Sequence, residues 1–161
     1  MQRANEVGVR AARENDRDRF AALWIDFLRE QCALDPRLVI SEDALERWKN
    51  DFPEWIGANV HGLFVAEHDE AELVGFASVQ LWYPPPIYDQ VLEAHLDELF
   101  VAPEWRRRGV ASRLLERVRE WAVQREARRI RLGVLDSNKT GLTFWQSRGA
   151  RPFISTMLID V

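Results

Sequence analysis

Residues 99–115 read LFVAPEWRRRGVASRLL. An apolar run meets a proline; three arginines, a glycine and small residues follow, and then an apolar helical pattern begins. The order is strand, loop and helix N-terminus. The first amides of a helix have no internal partner and the helix dipole is positive there, so such a junction suits an anion. Gly109 allows positive φ and a close approach of backbone to ligand. Ala111 keeps the surface clear of bulk. Arg106, Arg107 and Arg108 would supply positive charge around a phosphate. The passage is consistent with pyrophosphate held at the junction, and equally with a solvated arginine loop above a helix cap. It is neither a Walker loop nor a dinucleotide fingerprint, because G-x-x-x-x-G-K-[ST] and G-x-G-x-x-G are absent.

The same reading extends outward in both directions. Residues 7–11 form a short strand. Phe20, Leu23, Trp24, Phe27 and Leu28 keep i, i+3, i+4 spacing on a helix ending near Leu34, where Asp35-Pro36 breaks it. Ser41 caps a second helix to about Lys49. Residues 62–68 and 73–82 are strands joined by a turn at 69–71. Pro84, Pro85 and Pro86 make a stiff surface loop. Residues 94–101 form the strand before the arginines, and 109–125 the helix after them. A strand at 129–134, a short helix at 139–148 closed by Gly149, and a last strand at 153–160 complete the chain. The order β-α-α-β-β-β-α-β-α-β implies a mixed sheet, antiparallel in the middle and parallel across the later crossover, with helices on both faces.

The 161 residues suit a single domain over 1–161 with a real core. Hydrophobic residues at 47% and charged residues at 30% describe an ordinary soluble chain, and no stretch approaches a membrane span. The N-terminus lacks the apolar run of a secretory signal, and the lone Cys32 excludes an internal disulfide, so a cytoplasmic setting is expected. Residues 101–161 carry a net +7 and residues 1–100 a net −11. This is either surface composition or a basic half for an anionic ligand beside an acidic half for a cationic one. The overall charge of −4 disfavours nucleic acid as a partner.

Arg106-Arg107-Arg108-Gly109-Val110-Ala111 resembles the Q/R-x-x-G-x-G/A signature of the GCN5-related N-acetyltransferases (GNAT). Leu99 to Glu104 looks like the family's preceding strand and loop. Val65-Ala66-Glu67 and Val74 to Ala77 look like its second and third strands. Asn138, Phe144-Trp145 and Gly149-Ala150 are similar to its N-x-x-A-x-x-F-Y…G-F segment. The resemblance covers nearly the whole chain. It implies the GNAT fold, an α/β arrangement with a mixed sheet of six to seven strands. It also implies acetyl-CoA as co-substrate, no metal, a small-molecule or peptide amine as acceptor, and a possible homodimer. Carried over by position, the amides from Arg107 through Ser112, with Gly109, Val110 and Ala111 between, would hold the pyrophosphate, and Arg106 would shape the loop. The backbone of Leu99, Phe100 and Val101 would pair with the pantetheine arm, and the Val101 N–H would polarise the thioester. Asn138 and Trp145 would line the cofactor further along.

Acyl transfer in one ternary complex needs no protein nucleophile. It needs a base for the amine, and His95-Leu96-Asp97-Glu98-Leu99 is the richest place for one. Asp97 or Glu98 is expected to serve, directly or through water, with His95 as an alternative; alternation sends the two acids to opposite faces, and the family resemblance implies a strand bulge here that would blur that separation. Trp145 stands where the family's tyrosine acid is usual, and indole N–H does not release its proton at a useful pKa. Solvent, Tyr83 or Tyr88 would then protonate the thiolate, or else the domain is a catalytically silent acyl-CoA sensor. Trp48, Trp55 and Trp82 are candidates for an acceptor pocket.

Overall fold

The computed structural model describes residues 7–69 and 72–161. The first six residues, and Glu70 and Ala71 of the expected turn, lie outside that description. Strand β1 (Gly8–Ala11) is followed by helices α1 (Arg17–Leu34) and α2 (Ala44–Gly57). Strands β2 (His61–His68), β3 (Glu72–Trp82) and β4 (Glu93–Val101) come next, then α3 (Val110–Gln124), β5 (Arg129–Leu132) and α4 (Lys139–Ser147). The five strands form one sheet in the order β1-β2-β3-β4-β5. Neighbours are antiparallel except β4 and β5, which run parallel across the α3 crossover.

The apolar alternation of the strands builds a core on each face. On one face α3 lays Val110, Leu114, Val118, Trp121 and Ala122 against Phe64, Ala66, Val74, Ala77, Val79, Ala94, Leu96 and Val101. On the other, α1 and α2 bring Phe20, Trp48 and Phe52 onto Val65, Leu73, Phe76 and Phe100. The Phe20 ring lies 4.8 Å from Phe76 and 5.1 Å from Trp48, and Trp48 lies 4.9 Å from Phe52. Burying each such side chain is worth about 2–3 kcal/mol, and this cluster carries α2 past its expected end near Lys49. The helix runs through Pro53 to Gly57 because Phe52 and Trp55 still pack inward. Trp48 is therefore core, with Trp55 edge-on against it at 5.8 Å.

One corner is tied by charge. Asp16 is fully buried and accepts hydrogen bonds from Arg10 Nη1 (2.6 Å), Arg19 Nη2 (2.7 Å) and the Arg13 N–H (2.7 Å). Arg10 also reaches Glu67 at 2.7 Å, linking β1 and β2 to the start of α1. Burial by itself favours the protonated acid, but these donors outweigh it and hold Asp16 below the ordinary carboxylate range.

Among the described residues five strands form, where six to seven were expected. Residues 153–160 are not a strand: they leave α4 without regular structure and stand exposed. A strand exists only with a ladder partner, and β5 is four residues long with its far edge unpaired among the described residues. Gly133 and Val134, expected in β5, turn off the sheet instead. No helix among the described residues is long and apolar enough to cross a membrane.

Candidate active site

Strand β4 changes character at Asp97. Upstream, Val79 pairs with Leu96; downstream, Ser78 pairs with Glu98, so Asp97 is an extra residue in β4, a β-bulge. The pairing with β5 covers Glu93 to Leu96 only. From Asp97 to Val101 the β5-facing edge of β4 is open. The Ala102 N–H donates to Val74 O at 2.9 Å. Ala102 and Val74 are thus a hydrogen-bonded pair, and by the alternation of an antiparallel ladder Val101 and Leu99 turn their N–H and C=O away from β3, towards the opening. Arg106 Nε donates to the Val101 carbonyl at 2.8 Å. The Val101 N–H is left as a donor on an unpaired edge.

The opening is the mouth of a cleft of ≈1450 Å³. It is larger than the ~300–1,000 Å³ typical of a drug-sized ligand. Its walls are residues 96–101 of β4, the turn and start of α3, residues 132–135 from the end of β5 onward, α4 along its length, and Phe27, Glu30, Gln31 and Leu34 of α1. All the expected site residues except Arg108 line it.

The three arginines do not converge on one point. Arg106 braces the loop: besides Val101 O it reaches Glu30 Oε1 of α1 at 2.6 Å. Arg108 lies over the Trp105 ring at 4.9 Å. Arg107 takes a left-handed backbone (φ 61°), as does Gly109 (φ 77°). A Cβ at 109 would meet nothing within 4 Å, so glycine is required there by its φ and not by crowding. Among the described residues no side chain caps α3, whose Arg113 N–H is bonded to Gly109 O at 3.2 Å. The amides of Val110, Ala111 and Ser112 therefore face the cleft without a helical partner. The Ser112 hydroxyl is held by Arg148 at 2.6 Å, a tie from α4 that spacing alone did not signal.

Asn138 caps α4, its Oδ1 accepting from the Gly141 N–H at 2.8 Å. A Cβ at Gly141 would fall 2.5 Å from Asn138 Nδ2, so the cap depends on glycine there. Trp145 packs on the α3-side core and edge-on to Phe144 at 4.9 Å. Tyr83 and Tyr88 are exposed and do not reach the cleft, which removes them as proton donors. Trp82 carries the Arg131 guanidinium on its ring at 4.5 Å and is not part of the cleft either.

At the inner end stand the two acids. Alternation separates Asp97 from Glu98, but the bulge cancels it and both reach the α1 side of the sheet. Glu98 accepts from Trp24 Nε1 at 2.8 Å and from Ser78 Oγ at 2.9 Å. Asp97 accepts from Gln80 Nε2 at 2.8 Å through Oδ1, with His95 Nδ1 3.8 Å away and its side chain still 32% exposed. Burial pushes both carboxyls above their ordinary values. The Gln80 hydrogen bond and the positive potential of His95 and His61 partly offset this at Asp97, and the Trp24 and Ser78 donors do so at Glu98. Cys32, on α1, is not among the cleft residues. Trp24, Ser78, Gln80 and Glu30 escaped the sequence reading because each lies far along the chain from the residue it holds.

Residues 21–150 match the model of the acetyltransferase (GNAT) family. The chain belongs to that family. As a GNAT member it is an acetyl-CoA-dependent acyltransferase, an N-acetyltransferase in general terms. An uncharacterized N-acetyltransferase of Archaeoglobus fulgidus is 28% identical over 146 residues, covering 89% of this chain and 92% of that one. A thialysine N-ε-acetyltransferase of Sus scrofa is 35% identical over 57 residues, 35% of this chain and 34% of its own. Among solved structures, an aminoglycoside N-acetyltransferase AAC(6')-Iy in complex with CoA superposes with a TM-score of 0.78 at 19% identity, over 100% of this chain and 98% of that one. The shared GNAT fold is the mixed sheet with helices on both faces described above.

Proposed function

We propose that this domain, over residues 1–161, transfers the acetyl group of acetyl-CoA directly to a primary amine of a small molecule or peptide, within one ternary complex. The bulge at Asp97 carries the reading. One extra residue frees the β4 edge for an extended ligand arm and sets two carboxylates at the end of that edge.

The residues fit the co-substrate. The N–H groups from Arg107 to Ser112 form a donor cradle for a diphosphate at an uncapped helix start. The unpaired main chain of Leu99 and Val101 matches a pantetheine arm laid along it as a strand would be. When bound, acetyl-CoA supplies an activated thioester. The Val101 N–H offers its carbonyl a fixed donor, the kind of stabilisation that acyl transfer needs most. Asn138 and Trp145 shape the cleft beside it.

The amine must arrive neutral, against a pKa of ~10.4 for a lysine-like group. Asp97 receives its proton, directly or through one water. Its Oδ1 is fixed by Gln80, and the residue lines the cleft. Glu98, with both oxygens engaged, orients the pair and attracts the ammonium form. The departing thiolate takes its proton from solvent, because Trp145 cannot give one. No protein nucleophile takes part. A cationic acceptor is supported by this acidic end, and the thialysine and aminoglycoside enzymes named above likewise act on amines. A cytoplasmic site of action is consistent with the free Cys32.

Release of free thiol from acetyl-CoA, measured over a panel of polyamines, amino sugars and lysine peptides, tests the proposal. Saturable turnover with at least one amine is expected. Tight coenzyme A binding with no amine accepted would instead indicate the silent sensor.

A further inference from the structure

Glu30 is an acid in the wall of an anion site. Among the described residues lining the cleft it is the one acid besides Asp97 and Glu98. It stands on α1 beside the arginine loop, where a carboxylate repels a diphosphate. Its partner is Arg106, whose Nη2 donates to Glu30 Oε1 at 2.6 Å. The two side chains are 42% and 40% exposed, Arg106 the more so. An ion pair that open contributes little to stability, so its use lies in what it positions. Arg106 bends back over the end of β4. Its Nε donates to Val101 O at 2.8 Å, and its guanidinium lies over the Phe100 ring at 5.5 Å. Phe27 of α1 meets the same ring edge-on at 6.2 Å, and Trp24 of α1 reaches Glu98 at 2.8 Å. Helix α1 thus grips the open half of β4 at Glu98, at Phe100 and, through Arg106, at Val101.

The Val101 carbonyl is the last group of that edge. Beyond it the Ala102 N–H donates to Val74 O, and the Ala102 carbonyl accepts from the Trp105 N–H at 2.9 Å. Residue 103 is a proline and has no N–H. With Arg106 in place the edge offers a ligand the N–H and C=O of Leu99 and the N–H of Val101, and the Val101 C=O is covered. An extended ligand bonds a strand edge in steps of two residues. Were the Val101 carbonyl bare, an arm held at its diphosphate end by α3 would gain a second seat, drawn back by roughly 7 Å. Its reacting end would then fall short of Asp97.

We propose that Glu30 is a positioning residue for acyl transfer: it holds Arg106 on the Val101 carbonyl and so leaves the cofactor arm a single register on β4. This rests on acetyl-CoA as the ligand of the cleft, as proposed above, and adds the residue that sets where its arm lies. Glu30 acts through Arg106 and not on the reacting atoms. Without that carboxylate the guanidinium is drawn to the diphosphate, the strongest remaining acceptor nearby, and uncovers the carbonyl.

The test compares the full wild-type chain, Glu30→Ala, Arg106→Ala and the double variant, each titrated with coenzyme A by calorimetry and by amide chemical-shift mapping. Both side chains are exposed enough for every variant to fold. The wild-type chain should show one bound signal for each of Leu99 and Val101. Either single variant should show two, or one broadened by exchange between the seats, while residues 109–112 keep single bound signals. Affinity in Glu30→Ala should match or exceed that of the wild-type chain, because a negative charge has left an anion site. The double variant should behave as Arg106→Ala does. Single sharp signals at Leu99 and Val101 in either single variant overturn the inference, as do two sets in the wild-type chain. A loss of affinity of about tenfold or more in Glu30→Ala overturns it too, since Glu30 would then only brace the diphosphate loop. So does any further change when Glu30→Ala is added to Arg106→Ala. In all these cases the wild-type chain still binds coenzyme A and the cofactor assignment stands; a wild-type chain that binds none removes both.

Discussion

The two halves of β4 obey different rules. From Glu93 to Leu96 the strand is bonded on both edges and its residues are core or salt-bridged. Glu93, 2% exposed, is held between Arg129 and Arg131. From Asp97 to Val101 it is bonded on one edge, and its free edge borders the cleft. One inserted residue separates a structural half from a chemical half. Main-chain hydrogen bonding is close to obligatory in buried structure, so a strand edge left open deep in a cleft reads as a place kept for something else to bond. The stabilising work is done elsewhere, by the aromatic cluster under α1 and α2 and by the Asp16 corner.

The most damaging change should be deletion of Asp97. It makes β4 regular while leaving Leu96, Leu99 and Val101 on the α3 face and Glu98 and Phe100 on the other. The variant should fold, and β5 should pair further along β4. Losing about two main-chain hydrogen bonds to the ligand, near 1 kcal/mol each, should weaken coenzyme A binding roughly thirtyfold by calorimetry, with turnover abolished. Unchanged affinity in a folded deletion variant would remove the link between bulge and cofactor.

Asp97→Asn keeps the bulge and removes the base. It should lower kcat/KM about 10²–10⁴-fold with coenzyme A affinity unaltered. The base works ionised, and its pKa is raised. The wild-type rate should therefore fall as pH drops through a value above the ordinary carboxylate range, and that acid limb should vanish in the variant. If Glu98→Gln rather than Asp97→Asn abolishes the limb, the roles are reversed.

Gly109→Ala forces a Cβ into left-handed backbone at a cost of about 1 kcal/mol. Denaturant unfolding should register it, and part should appear as weaker coenzyme A binding. The smallest effect is expected of Trp145→Tyr, which keeps the packing against Phe144 and the core: turnover should stay level or rise. A large loss of kcat with affinity intact would make Trp145 more than a packing residue.

Much of this was legible in the letters. The strand, arginine loop and glycine at 99–109 announce an anion site by chemistry that is local in sequence, and the alternation and helical spacing of the apolar residues place nine of the elements. What was not legible is non-local. The family resemblance implies a bulge in this strand, but its place at Asp97 is fixed only by the register that β3 sets on either side, and alternation alone puts the two acids on opposite faces. The three arginines looked like one cluster, but their partners Val101, Glu30 and Trp105 are set by the fold and pull them apart. Residues 153–160 have the composition of a strand, and composition cannot say whether a ladder partner exists.

The account rests on the open edge of β4 and the bare start of α3 gripping the same ligand. The direct measurement is an amide chemical-shift map of the labelled chain titrated with coenzyme A. The largest shifts should fall on Leu99, Val101 and residues 107–112, with β1 and α2 unmoved. Shifts that leave those amides still, or that centre on another surface, would contradict it.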